Sequence, residues 1–331
     1  MTRVQRARLA ILALAVGVGV AGCGSAGSIV SPKGSEADRI AGAWWLMFGL
    51  ACAVYVIVAG LIVYAATRGR RTRSTESRLQ PNTFIWVGGV AVPLVILLVL
   101  AVVTVHTTAA LRKPAADALQ IDVAGNDWWW AVHYQAADVT TANEVHIPAG
   151  QPIDIRLTSD NVIHSFWVPQ LAGKEDVIPG QTNHLRFTAD QPGTFRGRCA
   201  EFCGLQHAHM DVLVIVQTPG DFGRWLARRQ SFVQEPTNEE EARGAVVFQR
   251  EACAGCHTIS GTAAHGTVGP DLSDLGERST LGAGVLDNTL DNLQSWIDDA
   301  PSFKPGIVMP SFRSLAPDDI RALAVYLESL K

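Results

Sequence analysis

Arg198-Cys199-Ala200-Glu201-Phe202-Cys203-Gly204-Leu205-Gln206-His207-Ala208-His209-Met210 is the stretch around which the rest of the chain is read. It sets two cysteines four residues apart, a histidine four further on and a methionine three beyond that. Thiolate and thioether are soft ligands suited to copper, and imidazole serves copper equally well. A turn-forming loop with this spacing can fold back so that both sulfurs, one ring nitrogen and the Met210 thioether face one point. A second imidazole is available at His164, within Val162-Ile163-His164-Ser165-Phe166. Two bridging cysteines and two histidines can hold two copper ions side by side, whereas a mononuclear blue-copper site needs only one cysteine. The alternatives are a Cys199–Cys203 disulfide beside core histidines, or a zinc site. Met210 and His164 fit neither.

At these residues the chain resembles subunit II of the heme-copper terminal oxidases, the subunit that carries the dinuclear copper centre CuA. The resemblance runs through Cys-x-x-x-Cys-x-x-x-His-x-x-Met and the upstream His-Ser-Phe. It implies that Cys199 and Cys203 bridge the two coppers. His164 and Met210 would complete one ion, His207 and the backbone carbonyl of Glu201 the other. The Glu201 carboxylate would face a magnesium ion shared with subunit I.

Composition agrees with a membrane-bound, metal-carrying chain. A length of 331 residues fits about two domains. Hydrophobic residues make up 48% and charged ones 18%, apolar enough to expect membrane segments. A net charge of −4 gives no reason to expect nucleic-acid binding. Of six cysteines, four lie in two motifs with ligand-like spacing, which reads as metal and heme chemistry rather than a disulfide framework.

Residues 1–22 carry Arg3, Arg6 and Arg8 ahead of the apolar run Leu9–Val20. That run is too short to span a bilayer but suits the core of a secretory signal. It ends in Val20-Ala21-Gly22-Cys23, which resembles a bacterial lipobox and implies cleavage before Cys23 and lipidation of its thiol. An ordinary signal peptide is the alternative. Two longer apolar runs follow, Trp44–Ala66 and Phe84–Val105, each reaching roughly 33 Å as a helix, enough for the hydrocarbon core. Trp44, Trp45 and Trp86 sit near their ends, as interfacial aromatics do. Cys52 reads as a packing residue, and Pro93 is expected to kink the second helix. The loop between the runs holds Arg68, Arg70, Arg71, Arg73 and Arg78 against Glu76 alone, which places it in the cytoplasm and both flanks outside. Where family members often carry a Glu linked to proton uptake, three residues before Trp86, this chain has Thr83.

From Ala118 to about Gln217 the pattern turns to short alternating runs. Ile153, Ile155 and Leu157 share one strand face, Leu185 and Phe187 another, and Val212, Val214 and Val216 a third. Pro148-Ala149-Gly150, Pro179-Gly180 and Gln191-Pro192-Gly193 mark turns. Such strands read as a β-sandwich, and cupredoxin is the sandwich that carries this copper loop. Gly125-Asn126-Asp127-Trp128-Trp129-Trp130 with Tyr134 resembles the family's aromatic segment, with Asp127 in place of a Gln. By that resemblance electrons enter the copper site at Trp128, while Trp130 reads as core. Lys174-Glu175-Asp176-Val177-Ile178-Pro179-Gly180 matches a family loop facing subunit I, although Lys174 and Asp176 could equally form a solvated pair.

Residues 219–236 read as a polar linker. A further domain, 237–331, opens with Thr237-Asn238-Glu239-Glu240, a capping box for a helix carrying Val246, Val247 and Phe248. Cys253-Ala254-Gly255-Cys256-His257 is the attachment signature of c-type heme, with two thiols for the vinyl groups and His257 as iron ligand. Alone, the pentapeptide could be a redox or zinc Cys-x-x-Cys. It is joined by Gly269-Pro270-Asp271-Leu272, by a helix with Leu293, Trp296 and Ile297, by Lys304-Pro305-Gly306-Ile307-Val308-Met309-Pro310, and by a last helix from Pro317. Together these resemble a class I cytochrome c, in which Met309 is the distal ligand and His265 its near competitor.

The expected whole is a multidomain membrane protein: a two-helix transmembrane hairpin (40–110), an all-β cupredoxin sandwich (115–218) and an all-α cytochrome c domain. It resembles cytochrome c oxidase subunit II with a fused cytochrome, seated in a bacterial plasma membrane with both redox domains on the outer face. The resemblance implies electrons passing from a cytochrome bc complex or a cytochrome c through heme c and CuA to subunit I. There dioxygen is reduced to water with proton pumping, and subunit III is a further partner. The CuA subunit of a nitric oxide reductase and a stand-alone membrane-tethered electron carrier are the alternatives.

Overall fold

The computed structural model describes residues 27–68, 81–232 and 235–331. The signal-type segment 1–22, Cys23, and Arg70, Arg71, Arg73 and Arg78 of the basic loop lie outside the described residues. The chain divides into two compact units, residues 38–113 and the remainder.

The first unit is helical. Helix α1 (Ser35–Arg68) and a second segment made of Pro81–Phe84, Ile85–Ala91 and α2 (Val92–Leu111) are each long and apolar enough to cross a membrane. Met47, Val54 and Val58 of α1 face Ile96 and Leu100 of α2 across an apolar groove. Cys52 is exposed on α1, so the packing role read from sequence is not seen in this chain. Pro93 acts differently from the expected kink. It sits in the first turn of α2, directly after a π-helical stretch in which the Val92 N–H reaches Val87 O. Proline lacks a donor and its ring crowds the carbonyl four residues back, and a widened turn moves that carbonyl aside.

The second unit begins with a sandwich of two five-stranded sheets. One runs β3 (Val139–Ala142), β2 (Trp129–Tyr134), β1 (Leu119–Asn126), β5 (Pro152–Ser159) and β8 (Asn183–Thr188). The other runs β4 (Glu144–Pro148), β10 (Asp211–Gln217), β9 (Gly193–Cys199), β6 (His164–Trp167) and β7 (Glu175–Val177). Parallel pairing aligns Ile121 with Ile155 and Val123 with Leu157, so one residue in two turns inward from each strand and all four are fully buried. Val212, Val214 and Val216 do the same from the facing sheet, as the alternation predicts.

The expected linker is in large part a helix, α3 (Pro219–Gln230). Thr218 caps it by accepting from Asp221 N, Pro219 fills the first turn, and Phe222, Trp225 and Arg229 form one buried face. Trp225 stacks on His146 with ring centroids 4.1 Å apart and joins the sandwich core. A short polar sequence hid an amphipathic period.

The C-terminal domain packs α4 (Glu239–Arg250), α5 (Leu290–Phe303) and α6 (Pro317–Glu328) around Val247, Phe248, Leu293, Ile297, Ile320, Leu323 and Leu327. The cap falls one residue later than expected. Asn238 accepts from Glu241 N at 2.9 Å, and the Glu241 carboxylate accepts from Thr237 N at 2.7 Å. That register turns Val246 out to solvent while Val247 and Phe248 are buried. A two-stranded ribbon, β11 (Thr280–Leu281) with β12 (Leu286–Asp287), interrupts the otherwise helical domain.

This domain lies directly on the sandwich. Thr141 Oγ1 donates to Asp274 Oδ2 at 2.5 Å, Ser279 N to Glu144 Oε1 at 2.7 Å, Arg229 Nη1 to Ser273 O at 2.8 Å, and Asp211 N to Ala283 O at 3.0 Å. Asp274 and Arg278 form a buried ion pair beside these bonds.

Candidate copper and heme sites

The first site is assembled by strand pairing. Cys199 ends β9 and Met210 immediately precedes β10, so residues 200–209 are the connection of an antiparallel hairpin. Cys199 N donates to Met210 O at 2.9 Å, which ties the loop shut at its base. On the other side β9 pairs with β6, aligning Phe166 with Cys199, and Ala200 N donates to Ser165 O at 2.8 Å. His164, two residues before Phe166, thereby arrives over Cys199. Gly125 leaves room for it, because a Cβ there would sit 2.7 Å from His164 Cδ2.

The side chains named from sequence meet at one point. The free sulfurs of Cys199 and Cys203 are 3.7 Å apart, so these residues form no disulfide. Cys199 Sγ lies 4.0 Å from His164 Nδ1 and 3.2 Å from Glu201 O. Cys203 Sγ lies 3.7 Å from His207 Nδ1 and 3.9 Å from Met210 Sδ. His164, Cys199, Cys203 and Met210 are all buried. Ligand atoms of His164, Cys199 and Cys203 fall within 4.8 Å of one another.

The donors are also poised electrically. The Cys203 thiol hydrogen-bonds Cys199 and pulls its pKa down to about 3, while the same partnership and burial push Cys203 up. Both sulfurs can be thiolates at this separation only with a cation between them, and a soft metal would supply it. Asn161, which sequence reading passed over, sets the His164 ring: its Oδ1 lies 3.0 Å from Nε2, leaving Nδ1 toward the sulfurs. A polar residue three positions before a candidate ligand was the available signal.

Trp128 and Trp130 part company. Trp130 is fully buried, edge-on to Phe166 at 5.2 Å and to His164 at 5.9 Å. Trp128 is half-buried and donates from Nε1 to Cys203 O at 2.7 Å, which puts its indole on the copper loop. Lys174 and Asp176 form a half-exposed ion pair at 2.7 Å, and the Glu201 carboxylate is exposed near Lys174.

In the C-terminal domain Cys253 and Cys256 are free thiols directly after α4, with His257 beside them. His257 Nδ1 lies 2.7 Å from Pro270 O, so the Nδ1 proton is donated there and Nε2 keeps its lone pair for a metal. Burial pushes this imidazole below its ordinary pKa, which favours the neutral, ligating form. Gly269 permits the contact, since a Cβ there would lie 2.5 Å from His257 Cε1. His265 is exposed, its backbone bridged to Thr258 on the His257 side. Met309 is half-buried in the loop between α5 and α6.

Both halves match known families. The model of the cytochrome c oxidase subunit II periplasmic domain matches residues 134–217, and that of cytochrome c matches residues 241–331. The chain is 34% identical to cytochrome c oxidase subunit 2 of Alkalihalophilus pseudofirmus, over 91% of this chain and 90% of the relative. The chain belongs to the cytochrome c oxidase subunit 2 family. It is similar as well to that subunit of Bacillus subtilis, at 28% identity over 99% of both chains. Quinol oxidase subunit 2 of Bacillus spizizenii is 30% identical over 70% of this chain and 75% of its own. Among solved structures it is similar to the periplasmic domain of cytochrome oxidase subunit II of Bradyrhizobium japonicum. That likeness is 30% identical, covers 36% of this chain and 96% of the other, and has a TM-score of 0.34. As a family member the chain is the electron-transfer subunit of an oxidoreductase. Its two matched domains imply CuA copper in the sandwich and heme in the C-terminal domain.

Proposed function

We propose that this chain relays electrons from a respiratory donor, a cytochrome bc complex or a cytochrome c, to subunit I of a proton-pumping cytochrome c oxidase that reduces dioxygen to water. The observation that carries the reading is the convergence of Cys199, Cys203, His164, His207, Met210 and the Glu201 carbonyl on one buried point, with both sulfurs unbonded. These six would hold a dinuclear copper centre. Cys253 and Cys256 would attach heme c, and His257 and Met309 would hold its iron. Bound there, the two groups supply one-electron redox chemistry, and Met/His ligation raises the heme potential toward that of a donor to copper.

The chain's own residues orient the ligands of both sites and bury the copper sulfurs. Asn161 and Pro270 orient the two imidazoles, and the sandwich core excludes water from the sulfurs. Rigid ligands limit the rearrangement that each electron transfer demands. Trp128, bonded to the Cys203 carbonyl, is where electrons would enter the copper site. The exposed Glu201 carboxylate would share a magnesium ion with subunit I, and subunit III would complete the assembly. Cys23 would carry a lipid, and the two apolar helices would anchor the chain in a bacterial plasma membrane with both redox domains outside.

Metal analysis of the purified oxidase tests the reading. Two coppers per chain, beyond those of subunit I, with a purple mixed-valence spectrum are expected, and Cys199→Ser abolishes that spectrum. A single copper in well-loaded protein refutes the dinuclear assignment.

A further inference from the structure

Lys304 follows α5 in the C-terminal domain and is only 3% exposed, an unusual place for an ammonium group. Its Nζ donates to three carbonyls: Trp128 O at 2.8 Å, His209 O at 2.6 Å and Gly282 O at 2.6 Å. Three N–H bonds meet three acceptors, so the cation is fully satisfied. Gly282 belongs to the heme domain itself. Trp128 and His209 belong to the sandwich, His209 within the copper loop and Trp128 bonded to it. One side chain therefore joins three segments from two domains.

The neighbouring residues continue the junction. Gln206, itself 3% exposed, donates from Nε2 to Pro305 O at 2.7 Å. Gly306 has φ +88°, and a Cβ there would stand 3.0 Å from Leu205 Cδ2 and 3.5 Å from Trp128 Cη2. The loop that leads to Met309 thus lies against the loop that carries Cys203, His207 and Met210, with the Trp128 indole at the contact. Removing an ammonium group from water is costly, and a surface patch would suffice to bring two tethered domains together. A buried clamp does something a patch cannot: it holds one geometry.

We propose that Lys304 is a positioning residue for electron transfer between heme and copper, locking the Met309 loop onto the copper loop with Trp128 between them. This rests on the relay proposed above. With both groups bound as proposed, one electron would pass from reduced heme to oxidised copper with no bond formed or broken. With the domains clamped, transfer starts from a fixed arrangement and needs no docking step. A buried contact of this kind is insensitive to salt, unlike one steered by surface charge.

The test uses the full chain in the assembled oxidase carrying Lys304→Met. Both spectra are expected to persist. Hydrogen exchange in residues 204–210 and 304–309 should rise by about tenfold or more while the two cores are unchanged. Heme-to-copper transfer after flash-induced reduction should slow by about tenfold or more and become dependent on viscosity and salt. Gln206→Ala removes the bond from the copper loop to Pro305 O without touching a charge and should move both readouts the same way by less. Unchanged exchange and an unchanged rate in Lys304→Met with both centres present overturn the proposal. Should that variant fail to assemble, the same null result in Gln206→Ala overturns it. A wild-type chain lacking dinuclear copper or heme would overturn the relay itself, which the metal analysis reads separately.

Discussion

Trp128 and Trp130 lie two residues apart, and their truncation should have opposite consequences. Trp130 is fully buried, its ring wedged against Phe166 and His164. A buried indole removes about 200 Å² from water, which at about 25 cal/mol per Å² is worth about 5 kcal/mol. Its Nε1 has no hydrogen-bond partner among the described residues, so truncation to Ala forfeits packing and no polar contact. Ala retains part of the burial while the void adds a cavity cost, and about 3–5 kcal/mol is expected. For a sandwich of this size that lowers the melting temperature by at least about 12 °C. Trp128→Ala should lose only the bond to Cys203 O and half-buried area, about 1 kcal/mol from the bond. It should leave both spectra intact yet slow heme-to-copper transfer by about tenfold, because the ring at the junction is gone. Calorimetry of each variant measures the first quantity and flash-induced heme oxidation the second. Should Trp130→Ala melt within a few degrees of wild type, or Trp128→Ala transfer at the wild-type rate, the division of roles is wrong.

The heme assignment is independent of the copper one. Cys256→Ala should cripple covalent attachment on denaturing electrophoresis, and Met309→Ala should keep heme but lose the far-red methionine–iron band. Reporters should read as cytoplasmic near Thr75 and as external at Lys331, and the reverse labelling would overturn the hairpin orientation. Acid should loosen the domain junction at Asp274. Burial pushes that carboxyl up, but Arg278 and Arg229 and the Thr141 hydrogen bond outweigh it and hold it below the usual range. A lowered folded-state pKa stabilises fully above about pH 4 and is lost as pH falls through the folded value. Small-angle scattering should show opening in strong acid, and an Asp274→Asn variant with the same acid profile would refute the assignment.

Short-range chemistry made most of the candidate sites legible without coordinates. Cys199, Cys203, His207 and Met210 are close in sequence because a hairpin connection must close on itself, and Cys253, Cys256 and His257 occupy barely more than a helical turn. Strand alternation at Ile153, Ile155 and Leu157 and the helical period from Ile320 to Leu327 needed only local periodicity. His164 could be named by type, but only the pairing of β6 with β9 brings it over Cys199. Helix α3 was missed because its buried face, Phe222, Trp225 and Arg229, has only two apolar side chains in a polar run, and burial against His146 makes it a core element. Asn161, the Pro270 carbonyl, Asp274 and Lys304 carry no motif. Their roles depend on which carbonyl or ring the fold carries to them, over separations of up to 176 residues for Lys304 and Trp128. The ligand types were therefore written in the chain, while their orientation and the clamp between the two redox domains came from tertiary packing, because a hydrogen bond specifies a distance and an angle that local sequence does not encode.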